Sequence, residues 1–472
     1  MSELGRFGYV QELRRTLSLL SSFGIAFCYI SPVVGVYTLF GYGLSNGGPA
    51  FIWGLPVVVV GQLLVALVFA ELAVSYPLAG ALYQWARRLM GDRYGWFVGW
   101  IYGWALVITI AAIDLGAAPY LAALLGLEAT RFAIAWLAVA VVVFHTVMND
   151  LGVRSTGVLT MAGVAAEVAA TVLIGAALLF LDPDHLRPVS TLLSTRAANG
   201  PATTGAALAS VLAWAWIFFG FESAADVAEE VVDPGRSVPR AMILSLLGAA
   251  LVTAFLALAL ILSAPDLAQA MADPAQTIPV ILGAHFGPTL SKLVLLLLVF
   301  AYVSCAGAAQ AAAARLVYSY ARDGMVPGSA WLRRVSPTHR VPRNATVFSA
   351  VAAVLVIAAS YLDVSAVNLN ALVVSYSVVG IYLSFQAVVL ARLLASWRGW
   401  RPEAAGFNLG RASLPVAILA LFYGCTMIVN LCWPRPADAI GGWLTPIAAL
   451  SIVVPGLAWL ALGNPRAARP SG

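Results

Sequence analysis

The sequence predicts an all-α polytopic membrane protein with twelve transmembrane helices, and three observations carry that reading. Charged residues make up 10% of the 472 positions and hydrophobic ones 61%, whereas soluble proteins carry about 25% charged residues. Twelve apolar runs reach the ~20 residues that a helix needs to cross a bilayer. The basic residues also sort by side. With the N-terminus inside, twenty of the 26 fall in the tails and even-numbered loops. Five (Arg131, Arg187, Arg196, Lys292 and Arg435) fall on the other side, and Arg315 lies within the eighth run. By the positive-inside rule both termini are cytoplasmic. The net charge of +5 is this bias, not a nucleic-acid footprint.

The first run, 17–43, contains FCYISPVVGVYTLFGYG at 27–43. Proline removes a helical donor and frees a carbonyl, so an interruption is expected at Ser31–Gly35. Runs at 50–76, 96–126, 132–148 and 155–181 follow. The sixth, 205–227, places Gly220 and Ser223 around Glu222 in mid-membrane (LAWAWIFFGFESAADVAEE, 212–230). The remaining runs are 240–263, 289–320, 344–362, 366–396, 412–433 and 440–462. The longest loops are 182–204, 264–288 and 321–343. None separates domains, so one transmembrane domain, 1–472, is expected. The two interruptions lie five spans apart, and an odd shift inverts topology. That is the pattern of a five-plus-five inverted repeat, with its halves within 17–227 and 205–396. Discontinuous helices at matching positions of two halves point to a midplane substrate site.

No cleavable signal is expected in MSELGRFGYVQELRRTLSLL, which has no small-residue cleavage site before a full-length run. Cys28, Cys305, Cys425 and Cys432 all lie in apolar runs and read as small buried hydrophobes rather than a disulfide framework. His145, His185, His285 and His339 are scattered over different runs and loops. No metal, cofactor or catalytic cluster is therefore expected, and an enzyme is disfavoured.

Three stretches resemble the amino acid–polyamine–organocation permease superfamily. AELAVSYPLAGALYQWARRLMG (70–91) is similar to its second-span signature, through Glu71, Pro77, Gly80, Tyr83 and Gly91. GFESAADVAEEVVDPGRSVPRAM (220–242) is similar to its sixth span and following loop. AAAARLVYSYARDGMVPGSAWLRRVSPTHRVPRNA (311–345) is similar to its eighth-span exit. The FCYISPVVGVYTLFGYGLSNGGPA stretch looks most like the amino acid/choline transporter branch. The resemblance implies a single transmembrane transporter domain of LeuT-like fold with helices 1 and 6 discontinuous and two extra C-terminal helices within 412–462, alternating access, a small-molecule substrate and a plasma-membrane location. GDRYG (91–95) resembles a loop motif of major facilitator transporters. Trp96 and Phe97 follow it, where that motif continues with basic residues.

A charge at mid-bilayer costs roughly 2.5–3.5 kcal/mol on insertion scales, so each intramembrane ionisable group needs a reason. Glu71 reads as a hydrogen-bonded anchor. Glu222 stands where the family has a structural and gating acid; it holds the break, carries a proton, or both. Glu167 falls fifteen residues after Gly152, where many related permeases place a lysine whose ammonium occupies the sodium position of sodium-coupled relatives. Here the carboxyl binds and releases a proton, ligates sodium with Ser304 nearby, attracts a cationic substrate, or stays neutral and hydrogen-bonded to a neighbouring helix; among the functional roles the proton is favoured. Asp114 meets a substrate amine in the outer vestibule or lies at the interface.

For the substrate, the half-helix start at 33–37 presents amides and a positive dipole end that suit a carboxylate, through Ser31, Val33, Val34 and Gly35. Tyr37, Trp216, Phe218, Phe219 and Phe221 around Gly220 offer aromatic faces, which attract ammonium groups by about 2 kcal/mol when desolvated. Trp216 resembles the family's gating aromatic. Together these describe an amino acid zwitterion or GABA. Aromatics with Glu167 but without carboxylate capture describe choline or a polyamine. From another class, a non-transporting nutrient sensor on a permease scaffold remains open.

Overall fold

The computed structural model describes residues 3–181, 186–360, 369–403, 406–434 and 443–462. Its helices in chain order are α1 (Leu19–Ile30), α2 (Pro32–Gly47), α3 (Gly54–Ser75), α4 (Ala81–Met90), α5 (Asp92–Leu125), α6 (Arg131–Asp150), α7 (Val153–Phe180), α8 (Thr204–Ile217), α9 (Ser223–Asp226), α10 (Pro234–Ser263), α11 (Leu267–Ala272), α12 (Thr277–His285), α13 (Pro288–Arg322), α14 (Ser329–Leu332), α15 (Arg343–Ala359), α16 (Leu369–Trp397), α17 (Ser413–Cys432) and α18 (Leu444–Leu462). A two-residue antiparallel pair, Arg196–Ala197 with Gly200–Pro201, is the one sheet among the described residues. The protein is an all-α, multi-pass membrane protein. Among the described residues ten helical spans are long and apolar enough to cross a bilayer, with α1 and α2 counted as one; α8 and α15 are apolar but shorter.

Two of the expected runs are cut short for different reasons. The sixth ends at Ile217 because Phe218–Glu222 leave the helical path. The ninth ends at Ala359, and its expected last residues, 361–362, lie outside the described residues, as do 366–368, 440–442 and His185. The expected loop 264–288 instead holds α11 and α12. Asp266 starts α11 by accepting from the Ala268 and Gln269 amides at 2.8 and 3.2 Å.

The long α5 packs along α13 and α16, and α1 and α2 sit between α7, α8, α10 and α13. One face carries the N-terminal segment, and there buried ion pairs join the helices. Arg315 bonds Glu230 through two contacts of 2.7 and 3.0 Å, and Arg322 bonds Glu229 at 2.8 and 2.9 Å. Tyr9 donates to Asp323 at 2.8 Å, and Thr16 and Leu17 donate to the Glu230 carbonyl. Glu71 is an anchor here. It accepts from Arg392 (3.0 Å), Ser413 (2.6 Å) and the Leu409 amide (3.0 Å), tying α3 to α16 and α17. A buried charge held this way has its hydrogen bonds satisfied, which is the condition for burying it at all.

Candidate functional site

The expected interruption Ser31–Gly35 narrows to a single residue. Ser31 adopts φ 43°, ends α1 and caps α2 with its own hydroxyl, which accepts from the Val34 amide at 3.3 Å. Pro32 has no N–H and begins α2, where a missing donor costs nothing. The Gly35 amide goes back to the Ser31 carbonyl at 2.9 Å. Fewer amides are therefore free than 33–37 suggested. The Val33 amide and the Ser31 hydroxyl lie beside Glu167 of α7. Gly35, Gly41 and Gly43 are helical and serve close packing. A Cβ at Gly35 would run into Ile217, one at Gly41 into the Pro274 carbonyl and one at Gly43 into Phe51.

The second break runs from Phe218 to Glu222. Gly220 has φ 109°, and a Cβ there would lie 2.9 Å from the Tyr29 carbonyl carbon and the Ile30 nitrogen. The two breaks thus touch, main chain against main chain, which only glycine permits. Glu222 turns back on its own segment, with Oε2 accepting from the Gly220 amide at 2.8 Å. Ser223 donates to the Gly220 carbonyl at 2.7 Å.

Between the breaks lies a hollow lined by Tyr29, Ile30, Val34, Gly35, Thr109, Ile113, Trp216, Phe219 and Cys305. Its free space, about 10 Å³, holds roughly one water molecule, so the walls are nearly closed on each other. Tyr29 and Trp216 each stand edge-on to Phe219, with centroids 5.9 and 5.6 Å apart. The Tyr29 hydroxyl is buried without a hydrogen-bond partner.

Of the residues singled out in the sequence, Val34, Gly35, Trp216 and Phe219 line this hollow. Ser31 and Val33 sit beside it at Glu167, and Gly220 seats the second break on the first. Phe218 is buried off the hollow, and Phe221 packs against Phe69 and Phe385 at 6.2 and 5.6 Å. Tyr37 lies one turn further along α2. It lines a separate apolar cavity of about 210 Å³ with Tyr120, Ile278, Leu282 and Phe286, on the face opposite the N-terminal segment.

Glu167 is fully buried, and neither carboxylate oxygen has a hydrogen-bond partner. The Cys28 and Cys305 thiols lie close enough to feel its charge. Ser304 packs against Gly163, one turn before Glu167, and donates to the carbonyls of Phe300 and Ala301 in its own helix. Asp114 does not face a vestibule. It is fully buried and bonds His145 at 3.2 Å, and His145 continues to Gln310 at 3.0 Å and thence to Asn149. Asp114 and His145 lie 31 positions apart in consecutive runs, and only the pairing of α5 with α6 brings them together.

Sequence reasoning missed Tyr29, Thr109 and Cys305 on the hollow, and Tyr102 and Asp226 below it. Thr109 lies five residues before Asp114 and Cys305 lies next to Ser304, each near a residue that had drawn attention for polarity or charge. That spacing was the available signal. Among the described residues no group of three or more His, Cys, Asp or Glu side chains is placed to hold a metal ion.

Comparison with known proteins agrees over nearly the whole chain. The profile of the family described as amino acid permease matches residues 17–457. An amino-acid permease BAT1 homolog of Oryza sativa subsp. japonica is 25% identical, over 95% of this chain and 90% of the relative. The GABA-specific permease of Saccharomyces cerevisiae is 25% identical over 93% of this chain and 79% of the relative. The thiamine transporter thi9 of Schizosaccharomyces pombe is 25% identical over 91% and 79%.

Proposed function

The chain belongs to the amino acid permease family and is a membrane transporter of amino acids or related amines, not an enzyme; from that premise we propose alternating access around the hollow between the two breaks. In this reading the chain sits in the cell membrane with both termini cytoplasmic. The ten long spans, with α8–α9 and α15, make twelve. Two inverted repeats lie within 17–227 and 205–396, and 412–462 stands outside them.

The observation that carries this reading is the contact between the two unwound segments, with a hollow of mixed aromatic and small polar walls beside it. The positive end of α2 receives the substrate carboxylate, and Tyr29, Trp216 and Phe219 receive the amine. Ser31, Val33, Val34, Gly35 and Gly220 shape the floor by keeping main chain close. Tyr37 controls passage from the larger apolar cavity.

Glu167 is the coupling group. A buried carboxylate with no hydrogen bond is costly in its charged form, and taking up a proton neutralises it. Sodium, shared with Ser304, is the alternative. Glu222 holds the second break. Asp114, already bound to His145, has no direct role in substrate recognition.

A second reading, transport of an amine without a carboxylate, is favoured by one observation. The Val34 and Gly35 amides are already occupied by Ser31, and no basic side chain lines the hollow.

The deciding experiment is uptake into proteoliposomes of labelled amino acids, GABA, choline and putrescine, with and without a pH gradient. Accumulation of an amino acid or GABA driven by an inward acid gradient supports the first reading. Accumulation of choline or putrescine alone supports the second, and uptake of none, by a protein shown to be folded, supports the sensor.

A further inference from the structure

We infer that Glu222, Tyr102 and Asp226 form a proton-sharing chain below the substrate hollow, in which the Tyr102 phenol passes one proton between two carboxyls. The Tyr102 oxygen of α5 lies 3.2 Å from Glu222 Oε1 and 2.7 Å from Asp226 Oδ2. All three side chains are fully buried. A phenol carries one hydrogen. With both carboxylates ionised it satisfies one of these contacts and leaves the other as lone pair against lone pair, with two negative charges enclosed together. A single added proton resolves both problems. In one form Glu222 Oε1–H donates to the phenol oxygen and the phenol donates to Asp226. In the other, Asp226 Oδ2–H donates to the phenol and the phenol donates to Glu222.

The two forms interconvert by paired hops. The Glu222 O–H bond breaks as a new O–H bond forms on the phenol oxygen. The original phenol O–H bond breaks as one forms on Asp226. The phenol is unchanged, the net charge of the trio stays at one negative, and the proton has moved from the break toward the face that carries the N-terminal segment.

The surroundings give that movement a consequence. Asp226 Oδ1 is buried with no hydrogen-bond partner, and Arg315 of α13 acts on Asp226 while bonding Glu230, just beyond α9. Tyr29 of α1 also acts on the trio. Arg87 of α4 is committed to Asp92 and Asp323, and Arg236 and Arg240 of α10 are exposed. A proton on Asp226 therefore removes a negative charge from beside Arg315, at the ion pairs that close this face. The proton count rests on geometry alone, and its use in transport rests on the coupling reading above.

The test reads protons rather than uptake. Infrared difference spectra of the purified full-length protein in liposomes, taken between acid and alkaline bulk pH, report protonated carboxyl groups. The expected result is one carboxyl band lost both in Glu222→Gln and in Asp226→Asn, because with one carboxyl gone the single phenol hydrogen satisfies the other as a carboxylate; Tyr102→Phe removes that donor, so a buried carboxyl then keeps its proton whether or not the other is present. In the Tyr102→Phe background, which keeps the ring packing, Asp226→Asn leaves the Glu222 band in place. A band removed by only one of the two substitutions, or by neither, overturns the inference. So does a Tyr102→Phe background in which Asp226→Asn still removes it.

Discussion

At the first break the nearby acid comes from a neighbouring helix: Glu167 of α7 approaches the Ser31 hydroxyl and the Val33 amide, but neither of its oxygens is held by a hydrogen bond of full geometry. At the second the acid belongs to the break itself, and Glu222 takes the Gly220 amide and meets Tyr102. The backbones differ as well. One is a single left-handed serine that caps its own helix; the other is an unwound stretch centred on a glycine pressed against the first. A group with its bonds filled fixes geometry. A group left without bonds, at the same depth, is placed to take a partner. The difference separates the part of the site that holds shape from the part that exchanges a ligand.

Substitutions at four positions press on that difference, in order of their effect on stability. Gly220→Ala should be the most severe, since it combines a φ that side chains rarely adopt with a Cβ in contact with Tyr29 and Ile30 main chain. Strain alone is worth about 1–3 kcal/mol and the clash adds to it, so little monodisperse protein should survive size-exclusion chromatography. Near-normal recovery would show that the breaks do not need this contact. Glu222→Ala should cost about 1–3 kcal/mol, the penalty for leaving the buried Gly220 amide without an acceptor, while Tyr102 keeps Asp226 as its acceptor. A thermal unfolding midpoint equal to that of the parent would remove Glu222 from its structural role.

Ser31→Ala should cost about 1 kcal/mol through the lost cap. Ser31→Gly should cost less, because glycine accepts φ 43° without strain. If Ser31→Gly proves the more destabilising in the same unfolding assay, the cap is not what holds the first break. Glu167→Gln breaks no hydrogen bond and should shift the unfolding midpoint least of the four. It should still abolish the proton dependence of uptake, and unchanged proton dependence would end its coupling role.

Much of the architecture was readable from the chain because lipid imposes long apolar runs and makes every interruption conspicuous; Ser31-Pro32 and Gly220 stood out for that reason. The exact form of the first break was not, because Gly35, Gly41 and Gly43 look like helix breakers in sequence and are in fact packing notches against Ile217, Pro274 and Phe51. Glu71 and Glu222 were legible as acids needing partners, yet their partners Arg392 and Tyr102 lie 321 and 120 positions away. Asp114 was misplaced because its partner His145 arrives from the next helix. Cys305 looked bland because a small apolar side chain reads the same whether it faces a core or a cavity.

The central claim is that the hollow between the breaks is where substrate sits, and Cys305 gives it a direct probe. In a chain carrying Cys28→Ser, Cys425→Ser and Cys432→Ser, the rate at which a small alkylating reagent modifies Cys305 is measured with and without the amino acid or amine identified by uptake. The account predicts that saturating substrate slows modification at least several-fold. Modification at an unchanged rate, in protein that still transports, would place the substrate elsewhere.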